Sequence, residues 1–250
     1  MATAVFEKGG YRYIPAVSQY SGGVAAEKGF ALHRVTFTRP VPLAEGFERI
    51  KAHLDEINRP LVSFCACELR SPEPFTEQGF YDFNNIYIDT LKDWGVHTDE
   101  KNPVARSNIC PEIDSPKVPS IHAFCYTVED PNATPSFVVA GSAEAEEGHA
   151  TYREVTVALG DLSHDGFRKK IKFVVEEMQR RMRLLGFDWS NVTATQIYTV
   201  HDFHTFIAEE FASTGALYHG LTWHFNRPPV VGLEFEMDCR GVYFERRIRV

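Results

Sequence analysis

A few side chains in this 250-residue chain have types and spacings that can do chemistry. Arg106, within Val104-Ala105-Arg106-Ser107, carries a planar guanidinium that can grip a carboxylate through two parallel charge-assisted hydrogen bonds, which a lysine cannot reproduce. Read alone, such an arginine is more often one partner of a surface ion pair. Glu234 and Glu236 lie two apart, so on a strand both carboxylates face one side and Phe235 and Met237 the other. In a partly dry cleft the pKa of Glu236 rises and it can act as general base toward water; on an open sheet face it is only solvated. His201 and His204 share a helix face, and His219 and His224 follow. A metal needs three or four converging donors with fixed outer partners, and this spacing does not supply them, so no metal is expected. The turns at Gly22-Gly23 and Gly141-Ser142 can offer backbone N–H groups to a carboxylate, although neither has the longer pattern of a phosphate loop. Asn84 and Ser107 can donate to a substrate, or can cap a helix or satisfy backbone.

These residues need elements to position them. Phe30–Thr38 reads as a strand broken by Pro40 and Pro42, and Leu43–Ile57 as a helix with Phe47, Ile50, Leu54 and Ile57 spaced by three and four. Leu61–Leu69 is a buried strand, in which Cys65 and Cys67 should face the same way. Gly79–Trp94 is a second helix with Phe80, Phe83, Tyr87 and Leu91 on one face, followed by strands near Ala105–Cys110 and Ser120–Val128. After the turn-rich segment Glu129–Pro135, a similar order returns. Strands are expected at Phe137–Ala140 and Thr151–Leu159, a long helix at Asp165–Leu185 closed by Gly186, and a strand at Val192–Val200. A helix at Asp202–Phe211 and strands at Leu221–Phe225 and Val230–Met237 complete the second half. Tyr81-Asp82-Phe83-Asn84 matches His201-Asp202-Phe203-His204, and Pro119–Tyr126 matches Pro229–Glu236. The expectation is a repeat of two, with domains 1–130 and 131–250.

Composition narrows the partners. The chain is 44% hydrophobic with a formal net charge of -8, which argues against nucleic acid or an anionic membrane as the main partner but not against an anionic small molecule. No apolar run approaches the roughly 18–20 residues of a membrane span. The N-terminal residues lack the pattern of a secretory signal, so a cytoplasmic location is expected. The five cysteines have no disulfide-framework spacing.

Asp82-Phe83-Asn84 with Tyr87, then Val104-Ala105-Arg106-Ser107, resembles the RidA/YjgF family of enamine and imine deaminases. Phe137–Ser142, Phe167–Gly186, Val192–Thr199, His201-Asp202-Phe203 and Leu233-Glu234-Phe235-Glu236 resemble further family elements in the family's order. The resemblance implies an α/β (α+β) fold of two tandem RidA/YjgF-like, chorismate mutase-like domains, each a mixed β-sheet with two helices on one face. It also implies a cofactor-independent deaminase that releases ammonia from the enamine or imine of an unsaturated amino (di)carboxylic acid. Threefold or pseudo-threefold homo-oligomers are implied as well. Arg106 would hold the substrate carboxylate and Glu236 would handle protons. Ser107, Asn84, Gly141, Ser142, Tyr20 and His219 would contact substrate.

The departures matter. Phe124 and Tyr126 stand where Glu234 and Glu236 align, and Ala216–Trp223, the counterpart of the Arg-Ser strand, contains no arginine. Each copy thus lacks part of the site, which predicts one composite site where unlike copies meet. A chorismatase-like hydrolase and a non-catalytic metabolite-binding protein remain as alternative expectations.

Overall fold

The computed structural model describes residues 2–98, 101–149 and 151–250. The chain opens with β1 (Ala4–Phe6), β2 (Tyr11–Tyr13) and β3 (Gly23–Ala26). Next come β4 (Phe30–Pro42), α1 (Leu43–Glu56), β5 (Phe64–Arg70), α2 (Glu77–Asp93), β6 (Ala105–Pro111) and β7 (Ser120–Glu129). The second half contributes β8 (Phe137–Ala143), the short α3 (Tyr152–Val155), α4 (His164–Leu185) and β9 (Ala194–Tyr198). Strands β10 (Thr222–His224), β11 (Asn226–Arg227), β12 (Glu236–Gly241) and β13 (Phe244–Ile248) end it.

Local chemistry sets the helix limits. The Thr76 side chain caps α2 by accepting from the Gly79 N–H at 3.1 Å, and Ser163 caps α4 through the Gly166 N–H at 3.2 Å. Gly186 ends α4 in the left-handed region, φ 87°, which a side chain would resist. The stripe Ile171, Val174, Met178 and Met182 is buried, each side chain contributing about 1.5–3 kcal/mol.

Two mixed sheets result. The six-stranded sheet runs β11-β6-β5-β7-β4-β13, with β5–β6 and β4–β13 parallel. The seven-stranded sheet runs β1-β2-β3-β8-β12-β9-β10, with only β9–β10 parallel. One core lies between α1, α2 and the first sheet, another between α4 and the second. A third core joins the sheets face to face through Tyr11, Val24, Ala66, Ala105 and Ala140, giving helix, sheet, sheet and helix layers. The halves also exchange strands. The β1–β3 segment joins the sheet of the second half through β3–β8, while β13 lies along β4 of the first.

Several expected elements differ. Thr151–Leu159 is not a strand: it forms α3 and then turns, with Ala158 at φ 47°. The place beside β8 is already taken by β3 and β12. Asp202–Phe211 is wound as a 3-10 turn at His204–Phe206 and a π turn at Ile207–Phe211, rather than as an α-helix. Its buried anchors Phe203, Phe206 and Phe211 are spaced three and five apart, which those two windings satisfy and 3.6 residues per turn does not. The last-strand expectation Val230–Met237 is displaced, since pairing begins at Glu236. The backbone N–H groups of Glu234 and Phe235 donate instead to the buried Glu144 carboxylate, at 2.8 and 3.0 Å. Cys65 and Cys67 do not share a face. A register shift between Phe64 and Ala66 turns Cys65 toward the core between the sheets and Cys67 toward the α1–α2 core.

Candidate active site

Arg106 is the second residue of β6 and is 3% exposed. Helix α2 lies across it, and the periodicity that buries that helix also surrounds the guanidinium with rings. Its Cζ is 4.8 Å from the Tyr87 ring centre, 5.6 Å from Phe80, 5.8 Å from Phe83, and 5.0 Å from Tyr20. Ring faces attract a cation, each by about 0.5–2 kcal/mol, but they accept no conventional hydrogen bond. Nη1 is buried without a hydrogen-bond partner. A buried guanidinium left in this state is primed for an anion.

Glu236 opens β12, where it pairs with Ala143 on one side and Tyr198 on the other. Its carboxyl is held well above the ordinary range, first by burial and then by the nearby Asp238 and Glu144; Arg106 and Arg181 act in the opposite sense. Gly141 makes room for it, because a Cβ at that position would overlap Glu236 Oε1 and approach Ser107 Cα to 3.2 Å.

Arg106 and Glu236 line the same cavity, of about 40 Å³, together with Tyr20, Gly141 and Ser142. The two groups come from opposite halves of one chain. Tyr152 and Glu147 also face this cavity. Tyr20 and Tyr152 act on each other electrostatically, and burial raises the pKa of both, that of Tyr152 to about 12. A guanidinium with a buried Nη1 free of hydrogen bonds, in one cavity with a carboxyl that burial biases toward its neutral form, can hold an acid substrate and exchange a proton with it.

The family model described as 2-aminomuconate deaminase CnbZ matches residues 3–246. The chain belongs to that family. A 2-amino-5-chloromuconate deaminase of Comamonas testosteroni is 52% identical over 243 residues, spanning 96% of this chain and 97% of the relative. Among solved structures, a chorismatase aligns over 88% of this chain and 77% of its own, at 11% identity and a TM-score of 0.45. A cyanuric acid hydrolase from A. caulinodans aligns over 85% and 66%, at 10% identity and a TM-score of 0.34.

In this CnbZ-family chain three residues expected to contact substrate stand apart from the cavity. Ser107 points away from Arg106 and donates to Asp238 Oδ2 at 2.5 Å; Asp238 also accepts from Gln196 and Tyr198, each at 2.8 Å. Asn84 is buried on α2 with neither side-chain polar atom hydrogen-bonded. His219 is exposed, its ring against Tyr218. The paired histidines diverge: His201 Nε2 meets Glu234 Oε2 at 2.8 Å, and His204 Nδ1 meets Asp202 Oδ1 at 2.8 Å. Among the described residues no three His, Cys, Asp or Glu side chains gather as metal ligands do. None of the helices in those residues is long and apolar enough to cross a membrane.

Sequence reasoning missed Tyr152, Glu147 and Arg181. Tyr152 and Glu147 carry no periodic signal. Arg181 does: it sits three residues after Met178 and one before Met182, within the buried stripe of α4, and is 1% exposed. A charge on the apolar face of a helix is expected to be paired, and Arg181 Nε donates to Glu177 Oε1 at 2.6 Å.

Proposed function

We propose that this chain is a hydrolytic deaminase of 2-aminomuconate-type acids, releasing ammonia without a cofactor. The observation that carries the reading is the shared cavity, in which Arg106 has a free buried Nη1 and Glu236 has a raised pKa. Membership of the CnbZ family and the 52% identical 2-amino-5-chloromuconate deaminase support the substrate class.

Arg106 binds the carboxylate next to the amino-bearing carbon. Glu236 rests protonated and gives its proton to the enamine carbon, producing the iminium. As a carboxylate it then takes a proton from water as the oxygen attacks the iminium carbon. Glu236 returns that proton to the carbinolamine nitrogen, the C–N bond breaks as the hydroxyl proton passes back to Glu236, and ammonia leaves, so one water is consumed and a 2-oxo acid is formed.

We read the two halves as diverged RidA-like copies, one keeping the arginine and the other the carboxylate. Matching pairings support this: β5 is parallel to β6 and antiparallel to β7, and β9 is parallel to β10 and antiparallel to β12. A homo-oligomer with threefold or pseudo-threefold symmetry and a cytoplasmic location belong to the same reading. The five buried free thiols suit a reducing compartment.

The test is ammonia release from 2-aminomuconate or its 5-chloro derivative by the wild-type protein, Arg106→Ala and Glu236→Gln. Turnover lost in both variants is expected. No ammonia from the wild-type protein, or near wild-type rates in either variant, overturns the reading.

A further inference from the structure

The inner cavity is too small for the proposed substrate. Its volume of about 40 Å³ accommodates about one water, whereas ligand sites commonly span roughly 300–1,000 Å³. Beside it lies an open cleft of about 550 Å³, bordered by Ile14, Gly22, Phe173, Arg180 and Arg181. Ala145 and Glu147 line both spaces and therefore form the partition between them. This partition is held mainly at its base. Ala145 bridges to Thr156, and the Val157 N–H donates to Glu144 O at 2.8 Å. Among the described residues, no backbone hydrogen bond ties residues 146–149 to the rest of the protein.

The Glu147 side chain supplies the missing tie, through an ion pair of 3.1 Å between its Oε1 and Arg181 Nη2. The same Nη2 lies 3.3 Å from Ser142 Oγ, which faces the inner cavity. The rest of the guanidinium is fixed. Nε is held by Glu177 at 2.6 Å, and Nη1 points at the Gly22 and Ala140 carbonyls at 3.4 Å. Glu177 is also gripped by Arg180 at 2.6 and 2.7 Å, so it stays paired when Glu147 leaves. One carboxylate can thus replace another at Nη2 without changing the local charge. Arg181 also acts electrostatically on Tyr20 and Glu236, both of which Arg106 influences as well.

We propose that Glu147 is a stand-in carboxylate that closes the empty site by occupying Arg181, and that the second carboxylate of a dicarboxylic substrate displaces it onto a subsite formed by Arg181 Nη2 and Ser142 Oγ. Displacement joins the inner cavity to the outer cleft and makes room for the chain between the two acid groups. A monocarboxylate engages Arg106 alone and leaves the latch closed. This inference rests on the substrate class proposed above, but its test does not require turnover.

The experiment is calorimetric binding of two unreactive six-carbon dienoic acids, cis,cis-muconate with two carboxylates and sorbate with one. Wild type, Glu147→Gln and Glu147→Ala are compared, with folding checked by thermal melts. A latch closed in most molecules reduces apparent affinity by the open fraction, so its removal should tighten muconate binding by about tenfold or more in both variants. Sorbate should change by less than about twofold, because it does not compete for Arg181. Unchanged or weaker muconate binding in the variants, equal tightening of both acids, or no muconate binding by any form overturns the inference. Muconate binding that follows the expected pattern, in a protein that releases no ammonia from 2-aminomuconate, would overturn the deaminase reading and leave the subsite standing.

Discussion

Two buried clusters in this protein each combine arginine with carboxyl groups, and they differ in whether the arginine is paired with side-chain acceptors. Between the sheets, Arg34 donates to Glu68 at 2.6 and 2.8 Å, to Thr36 at 2.7 Å and to Glu245 at 3.0 Å. Nearby Asp238 accepts from Ser107, Gln196 and Tyr198. In the candidate site, Arg106 has aromatic faces and a free Nη1, while Glu236 has a raised pKa and no side-chain partner. The first arrangement pairs its arginine with side-chain acceptors of the chain itself, leaves Glu68 Oε2 without a hydrogen bond but 3.5 Å from Arg70 Nη2, and reads as scaffold. The second leaves its arginine for a ligand.

The contrast breaks first, and most strongly, through Arg106→Ala. Loss of two charge-assisted hydrogen bonds at about 1.5–3 kcal/mol each should lower kcat/KM by roughly 10²–10⁴, with little loss of thermal stability. A comparable fall in stability would place Arg106 with the scaffold instead. Glu236→Gln should lower kcat by about 10²–10⁴ while leaving the KM within a few-fold. In steady-state kinetics, a KM effect without a kcat effect would remove Glu236 from proton transfer.

Stability should respond to scaffold changes next. Glu68→Gln leaves Arg34 and its neighbours short of a buried counter-charge and should cost about 3–5 kcal/mol in denaturant unfolding, with KM unchanged in the folded fraction. The two carboxyls should also show opposite pH signatures. Glu236 is raised above its unfolded value, so its contribution is fully present below the ordinary carboxyl pKa of 4.5 and is lost as pH rises toward the folded value. Burial opposes ionisation of Glu68 most strongly, but Arg34, Arg240 and Arg70 together bring its pKa well below 4.5. Its contribution is therefore present above 4.5 and lost as pH falls. Unfolding curves across pH for Glu236→Gln and Glu68→Gln should each lose the corresponding slope; slopes of the same sign would dissolve the contrast. The smallest effect belongs to Ser107→Ala, about 1 kcal/mol of stability with unchanged KM, because its hydroxyl serves Asp238.

How much was legible follows the physical range of each signal. Helices α1, α2 and α4 and strands β6 and β7 fall close to where apolar spacing puts them, because burial of one face acts over a few residues. The segments that departed depend on partners far along the chain. Thr151–Leu159 has a strand-like pattern, yet the place beside β8 belongs to β3 from the N-terminal segment. Arg106 and Glu236 were legible as candidates from type and motif, and Tyr20, Gly141 and Ser142 join them. Ser107 was not, since its partner Asp238 is 131 residues away. Glu147 gave no signal at all, being an ordinary acidic residue until Arg181 stands beside it.

By itself, then, the sequence determined helices α1, α2 and α4 and strands β6 and β7 with the apolar faces they bury, because these follow from local spacing. It also determined that the arginine and the carboxylate lie in different halves. Only the tertiary structure decided that they share one cavity in a single chain, that Ser107 turns away, and that Arg181 lies behind a glutamate. Those outcomes depend on how two sheets pack face to face, and desolvation and pairing are fixed only by what the opposite sheet brings into contact.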